Sequence, residues 1–230
     1  MSHALRLLIA AAVLALALPA AAAPSLPSDA PTHQASAIEF SVKPRNTAER
    51  PWTVRLDGTG TGTYSEAGAA ADPPHSLSIS PSTLQRLRRG EHAAKAGRCE
   101  THQKNIAQTG VKTIRYQMPE RTLDCTFNFS EDSALMDAVA AFQAIAATMQ
   151  AGQRLQHDQR FDRLALDAEI DHLVSAARDG SAIEIPNIAP VLQSLIDDEH
   201  VIDRVRRKAA RLLQDSSSSS PVSETASRDR

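Results

Sequence analysis

Ser130-Glu-Asp-Ser-Ala-Leu-Met-Asp-Ala-Val-Ala-Ala-Phe-Gln-Ala-Ile-Ala-Ala-Thr-Met-Gln-Ala-Gly152 is the stretch on which the fold turns. Leu135, Val139, Phe142, Ile145 and Met149 recur at helical spacing, and the remaining faces are mostly alanine. No basic residue appears before Arg154. A surface helix carries one apolar stripe, whereas a helix apolar on nearly every side has to be covered all round. The spacing therefore predicts a central helix packed between a sheet and other helices. Ser130 is the expected N-cap, since its hydroxyl can accept from the free N–H groups of the first turn. Glu131, Asp132 and Asp137 suit the positive end of the helix dipole. Gly152 is the expected stop.

Upstream, the pattern changes to period two. Ile38, Phe40 and Val42 alternate with polar neighbours, and so do Trp52, Val54 and Leu56. Each such strand has one face for a core and one for water. Residues 76–80 alternate again through Leu77 and Ile79, and Ser80-Pro81 opens a short helix as N-cap and N1. Residues 111–118 and 123–129 form a predicted hairpin around Pro119-Glu-Arg-Thr122. Downstream, helices are expected over about 168–178, capped by Asp167 and stopped by Gly180, over 188–197 behind Asn187, and over 200–214. The predicted class is α+β. A mostly antiparallel sheet over 38–129 is packed by a C-terminal layer of about four helices over 131–214, as one domain spanning 38–214.

The two ends read differently. Arg6 precedes an unbroken apolar run from Leu7 to Leu18, followed by Pro19 and small alanines. The run reaches about 18 Å, short of a hydrocarbon core about 30 Å thick. This is the layout of a cleaved secretory signal over 1–22, with cleavage after Ala22. Residues 23–37 are rich in Pro, Ser and Ala and read as a flexible lead-in. The tail over 215–230 holds five consecutive serines and is expected to be disordered. The expected location is exported, periplasmic or extracellular, with no transmembrane segment in the mature chain.

Two cysteines, Cys99 and Cys125, complete the compartment argument. An even count in an exported chain predicts a disulfide, here pinning the segment near Cys99 to the second strand of the hairpin. The formal net charge is −2, and loss of Arg6 with the signal makes it −3. Neither value suits nucleic acid, which demands a surplus of Lys and Arg.

Four patterns bear on chemistry. Gly58-Thr-Gly-Thr-Gly-Thr-Tyr64 lacks the third glycine of a dinucleotide loop, a following helix and a Walker lysine, so a glycine-rich hairpin is expected. Asp167-Ala-Glu-Ile-Asp171-His172 lacks the glycine and the final carboxylate of a calcium loop, and on a helix Asp167 and Asp171 share a face. The histidines His33, His75, His92, His102, His157, His172 and His200 are scattered, and the group His157, Asp158 and Asp162 matches no metal-site spacing. No nucleophile elbow is present. No catalytic residue, cofactor or metal is therefore assigned.

Near the C-terminus, Pro190-Val-Leu-Gln-Ser-Leu-Ile-Asp-Asp198 followed by Val205-Arg206-Arg-Lys-Ala209-Ala-Arg-Leu212-Leu213 resembles a single HEAT-type repeat. The resemblance implies a helical hairpin and nothing about a ligand. The second helix also groups Arg204, Lys208 and Arg211 as a basic face that could meet an acidic protein partner or anionic lipid. The expected function is a non-enzymatic extracytoplasmic binding or accessory module. The alternative is an extracytoplasmic hydrolase whose site is gathered only by folding.

Overall fold

The computed structural model describes residues 35–46, 48–68, 73–97, 99–100 and 110–218. The expected signal segment, His33, His102 and residues 219–230 lie outside them. The chain order is β1 Ala37–Pro44, β2 Trp52–Asp57, β3 Thr61–Glu66, β4 His75–Ser78, α1 Pro81–Arg89, α2 Glu91–Lys95, β5 Gly110–Gln117 and β6 Thr122–Phe127. Then follow α3 Ser133–Phe161, α4 Leu166–Asp179, a 3-10 turn Ile185–Ile188, α5 Ala189–Asp197 and α6 Asp203–Ser218. The sheet has six strands in the order β4-β3-β2-β1-β5-β6, and each neighbouring pair is antiparallel. The α+β class holds, as does the division into an N-terminal sheet and a C-terminal helical layer.

Period-two alternation builds the sheet as expected. Ile38, Phe40, Val54, Leu56, Ile114 and Tyr116 are buried on one face. The register sets Arg55 opposite Glu39, Glu39 opposite Arg115, and Arg115 opposite Asp124 on the other face. Salt bridges of 2.7 Å join Arg55 to Glu39 and Arg115 to Asp124. Gly62 sits where a Cβ would lie 1.8 Å from the carbonyl oxygen of Arg55, so the β2–β3 pairing admits only glycine there. The tight turn before it is held by Asp57, whose Oδ1 accepts from the backbone N–H of Thr59 at 2.8 Å and of Thr61 at 3.0 Å. The glycine-rich segment is thus a hairpin, as its sequence predicts.

Against this sheet lies α3. The Phe142 ring stacks on Phe40 with centroids 4.8 Å apart, and both side chains are fully buried. On its far side the helix meets the 182–188 segment: Thr148 Oγ1 donates to the Ile183 carbonyl at 2.7 Å. One hydrophobic cluster runs from Ile38 and Phe40 through α3 to Leu192, Val205 and Leu212. By length and composition α3 could cross a membrane, but 61% of its most apolar window is buried within the protein, as in a core helix.

Several boundaries differ from the sequence expectation. The N-cap of α3 is Asp132, whose Oδ1 accepts from the N–H groups of Ala134 and Leu135, while Ser130 Oγ accepts from Asp132 N one step earlier. Gly152 does not end the helix, which continues to Phe161. A Cβ at Gly152 would lie 2.5 Å from Ile188 Cγ2, so the glycine is required by the close approach of the 3-10 turn. Asp167 is not a cap but lies inside α4, which begins at Leu166. The lead-in ends earlier than expected, because Ala35 is buried and Ala37 already belongs to β1. The tail starts later, since α6 runs on to Ser218. The helical hairpin implied by the repeat resemblance is present as α5 and α6.

Asn187 does more than precede a helix. Ser78 N donates to its Oδ1 at 2.7 Å and its Nδ2 donates to Ser78 O at 2.9 Å, so this side chain pairs with the edge of β4 as a strand would. Glu184, in the left-handed region at φ 60°, accepts from Ser80 N at 3.0 Å and Ser80 Oγ at 2.7 Å. That backbone conformation costs roughly 1–2 kcal/mol for a residue with a Cβ, and the two bonds at the start of α1 offset it. The 184–187 segment thereby latches the helical layer to the β4 edge. A Cys99–Cys125 disulfide, with Cα atoms 5.5 Å apart and a sequence separation of 26, ties the segment after α2 to β6. Closing such a loop is worth about 3.5 kcal/mol on chain-entropy grounds.

Candidate functional site

A groove among the described residues follows from how far α3 extends. Beyond Gly152 the helix continues to Phe161, with Leu155 its last residue in the core, and its end runs alongside residues at the ends of β2–β4. Between them lies an open groove of about 510 Å³. That falls within the usual volume range for small-ligand sites. Gln150, Gln153, Arg154, His157, Arg160 and Phe161 of α3 form one wall. These positions recur every three or four residues and so share one helical face. Arg50, Ser65, Glu66, Pro73 and His75 form the opposite side.

The lining carries three arginines and two histidines against one carboxylate, Glu66. In a chain of net charge −2 this is a local excess of positive charge. Glu66 accepts from the Tyr64 hydroxyl at 2.6 Å and lies 4.0 Å from Arg50. Burial, and then the hydrogen bond to Glu66, hold the Tyr64 phenol far above its ordinary pKa, so it stays protonated. His75 Nε2 lies 3.0 Å from Gln153 Nε2, which bridges the two walls. Arg154 is matched by Glu169 at 2.8 Å. Arg160, among the described residues, has no carboxylate partner and is exposed. The Phe161 ring is 75% exposed at the rim, with its centroid 5.0 Å from that of His157.

A second depression of about 360 Å³ lies on the other side of the same helix end, where Arg160 again contributes. Apart from Arg160, its charges are matched internally. Arg163 meets Asp198 at 3.6 Å, and Gln159 Nε2 donates to Asp198 Oδ2 at 3.2 Å. The backbone N–H of His200, then Gln159 and Arg163, hold the Asp198 carboxyl below its ordinary value. This is a polar seam between α3 and α5 that shares Arg160 with the first groove, and the first groove sets that arginine among Arg50, His75 and His157 with no Asp198 beside them.

The residues singled out from sequence fall elsewhere. Arg204 and Lys208 face α4: Asp167 Oδ1 accepts from Arg204 Nε at 2.8 Å and from Lys208 Nζ at 3.1 Å, and Asp171 meets Lys208 at 2.7 Å. The cations beside it, Lys208 first and then Arg204, hold Asp167 below its ordinary pKa. Two members of the expected basic face thus clamp α6 to α4, and the acids of the calcium-like string are their partners. Arg211 remains exposed. His157 Nδ1 lies 3.2 Å from Asp158. Among the described residues no group of three or more His, Cys, Asp or Glu side chains is placed to hold a metal. The groove itself escaped the sequence reading. Its one legible signal was the polar face that starts at Gln150, where the apolar stripe stops being completed.

No family model matches this chain, and neither does any curated protein or solved structure.

Proposed function

We propose that this is an exported, disulfide-bonded binding module that holds an anionic ligand in the groove between α3 and the β2–β4 ends. The observation that carries the reading is the unmatched Arg160 beside His157 and Arg50, in a groove whose single carboxylate is already engaged by Tyr64. Cations gathered along one groove attract an anion more strongly than the same groups scattered over the surface, because their fields add there. The groove is open rather than a closed chamber, which suits capture and release. The Cys99–Cys125 bridge suits an oxidising compartment, and the apolar run Leu7–Leu18 supplies the export signal.

The test is a titration followed by amide and side-chain NMR, with acetate and inorganic phosphate as anionic probes and spermine as the cationic one. The anions are expected to move the signals of Gln153, His157 and Arg160, and spermine is not. Equal shifts with both kinds of probe, or none in the groove, defeat the proposal. Export is checked separately by mass spectrometry of the mature chain, which should begin near Ala23; an intact Met1 on an extracytoplasmic product refutes it.

A further inference from the structure

The groove has an apolar side that an inorganic anion would leave unused. Phe161 presents 75% of its surface to water, and Pro73 lies across from it in the lining. Residues 161–164 are four consecutive exposed positions at the α3–α4 corner, and Leu164 there is 94% exposed. Large apolar side chains left this open contribute nothing to the core, and the helix could have ended at Leu155, its last buried residue. The Phe161 ring instead leans against His157 with the ring planes tilted by 46°, beside the unmatched Arg160. A cationic centre and an apolar ring thus stand within one helical turn of each other along one groove.

We infer that the groove takes an anionic amphiphile, its acid group beside Arg160 and His157 and its apolar chain laid over Phe161 and Pro73. This rests on the reading of the groove as an anion site and adds the chemical class of the ligand. A charge alone would leave the ring in water, and an apolar chain alone would strand Arg160 under it, which is costly. Only a ligand with both parts satisfies both features. The occupant is a dispersed single molecule rather than a bilayer. The corner also carries Asp158 and Asp162, and Arg163 is matched by Asp198, so it lacks the surplus of free cations by which a surface grips anionic lipid.

The experiment uses the full, disulfide-bonded chain and four probes: acetate, hexanoate, decanoate below its micellar concentration, and decyl maltoside. Groove signals are followed by NMR. Decanoate is expected to bind about tenfold more tightly than hexanoate, since methylenes added over an open ring are only partly buried. Decyl maltoside, which has the chain without the charge, is expected to bind at least tenfold more weakly than decanoate. Phe161→Ala should erase the difference between hexanoate and decanoate and leave the acetate shifts unchanged. Leu164→Ala, which alters an exposed apolar side chain outside the groove, should change neither. If acetate and decanoate bind alike and Phe161→Ala has no effect, the amphiphile inference is overturned and the anion site stands. If neither acetate nor decanoate moves the groove signals, both readings fall together. Co-sedimentation with phosphatidylglycerol vesicles without any response to monomeric decanoate overturns the inference in favour of a membrane surface.

Discussion

Within α3, the stretch from Leu135 to Gly152 and the stretch from Gln153 to Phe161 share one backbone and differ in what their side chains meet. In the first, Leu135, Val139, Phe142 and Ile145 are buried, Phe142 on Phe40 of the sheet, and Ala144, Ala151 and Gly152 are buried as well. In the second, Leu155 alone is buried, and the groove face reads Gln153, Arg154, His157, Arg160 and Phe161. Small side chains in the first stretch let neighbouring segments come close, as Ile188 does at Gly152. Most side chains in the second are long and polar and meet neighbours by their tips, as Arg154 meets Glu169 and Gln159 meets Asp198, and the groove opens beside them. A helix can therefore serve as the spine of a core and, two turns later, as the wall of a site, with only the side chains changing.

The contrast breaks most sharply at Phe142. Phe142→Ala removes the stack on Phe40 and leaves a cavity between sheet and helices, and it should cost about 3–5 kcal/mol. That is a large part of the stability of a typical domain. Because one hydrophobic cluster spans sheet and helices, calorimetry should show a single transition shifted to lower temperature. Two separated transitions would mean that sheet and helices fold independently.

A smaller effect sharpens the account of Gly152. In an exposed helix, alanine is favoured over glycine by about 1 kcal/mol. Here the added methyl meets Ile188, and overpacking costs roughly 1–3 kcal/mol. Gly152→Ala should therefore be net destabilising in urea denaturation, and Ile188→Ala in the same chain should relieve most of that penalty. A stabilised single variant would show that the helix merely tolerates glycine there.

That residue also shows where the sequence stops being legible. The apolar stripe, the strand alternation, the Ser80-Pro81 helix start, the Gly180 stop and the disulfide are local patterns, and each is found where the residues place it. Gly152 reads as a helix stop because glycine commonly ends helices; that it admits Ile188 depends on a residue 36 positions away (188 − 152 = 36). Ser130 and Asp132 are both good caps, and sequence alone does not choose between them. Arg204 and Lys208 look like a free basic face until α4 brings Asp167 and Asp171 against them. The groove joins β2–β4 residues to the end of α3, about 100 positions apart, as in the 78 between His75 and Gln153, and no local pattern announces such a meeting.

The α4–α6 clamp gives the smallest effect, read through pH. Asp167 titrates below its ordinary 3.8, so its contribution is complete above that value and fades as pH falls through the lower, folded one. Lys208 titrates above its ordinary 10.5, so its contribution is complete below that value and fades as pH rises through the higher one. The clamp should be at full strength between about pH 4 and pH 10. Asp167→Asn should lower the melting temperature slightly within that window and flatten its acid dependence. An unchanged acid limb would assign the pairs no role in stability, as for many exposed ion pairs.

The central claim is that the end of α3 is free to bind because the core does not need it, and Arg160→Glu tests it most directly. Melting temperature and decanoate affinity are measured on the same sample, beside the unaltered chain. The account predicts a melting temperature within about 2 °C of the original, as expected for an exposed position, together with at least a tenfold loss of affinity. An unchanged affinity, or a melting temperature lowered by many degrees, would contradict it.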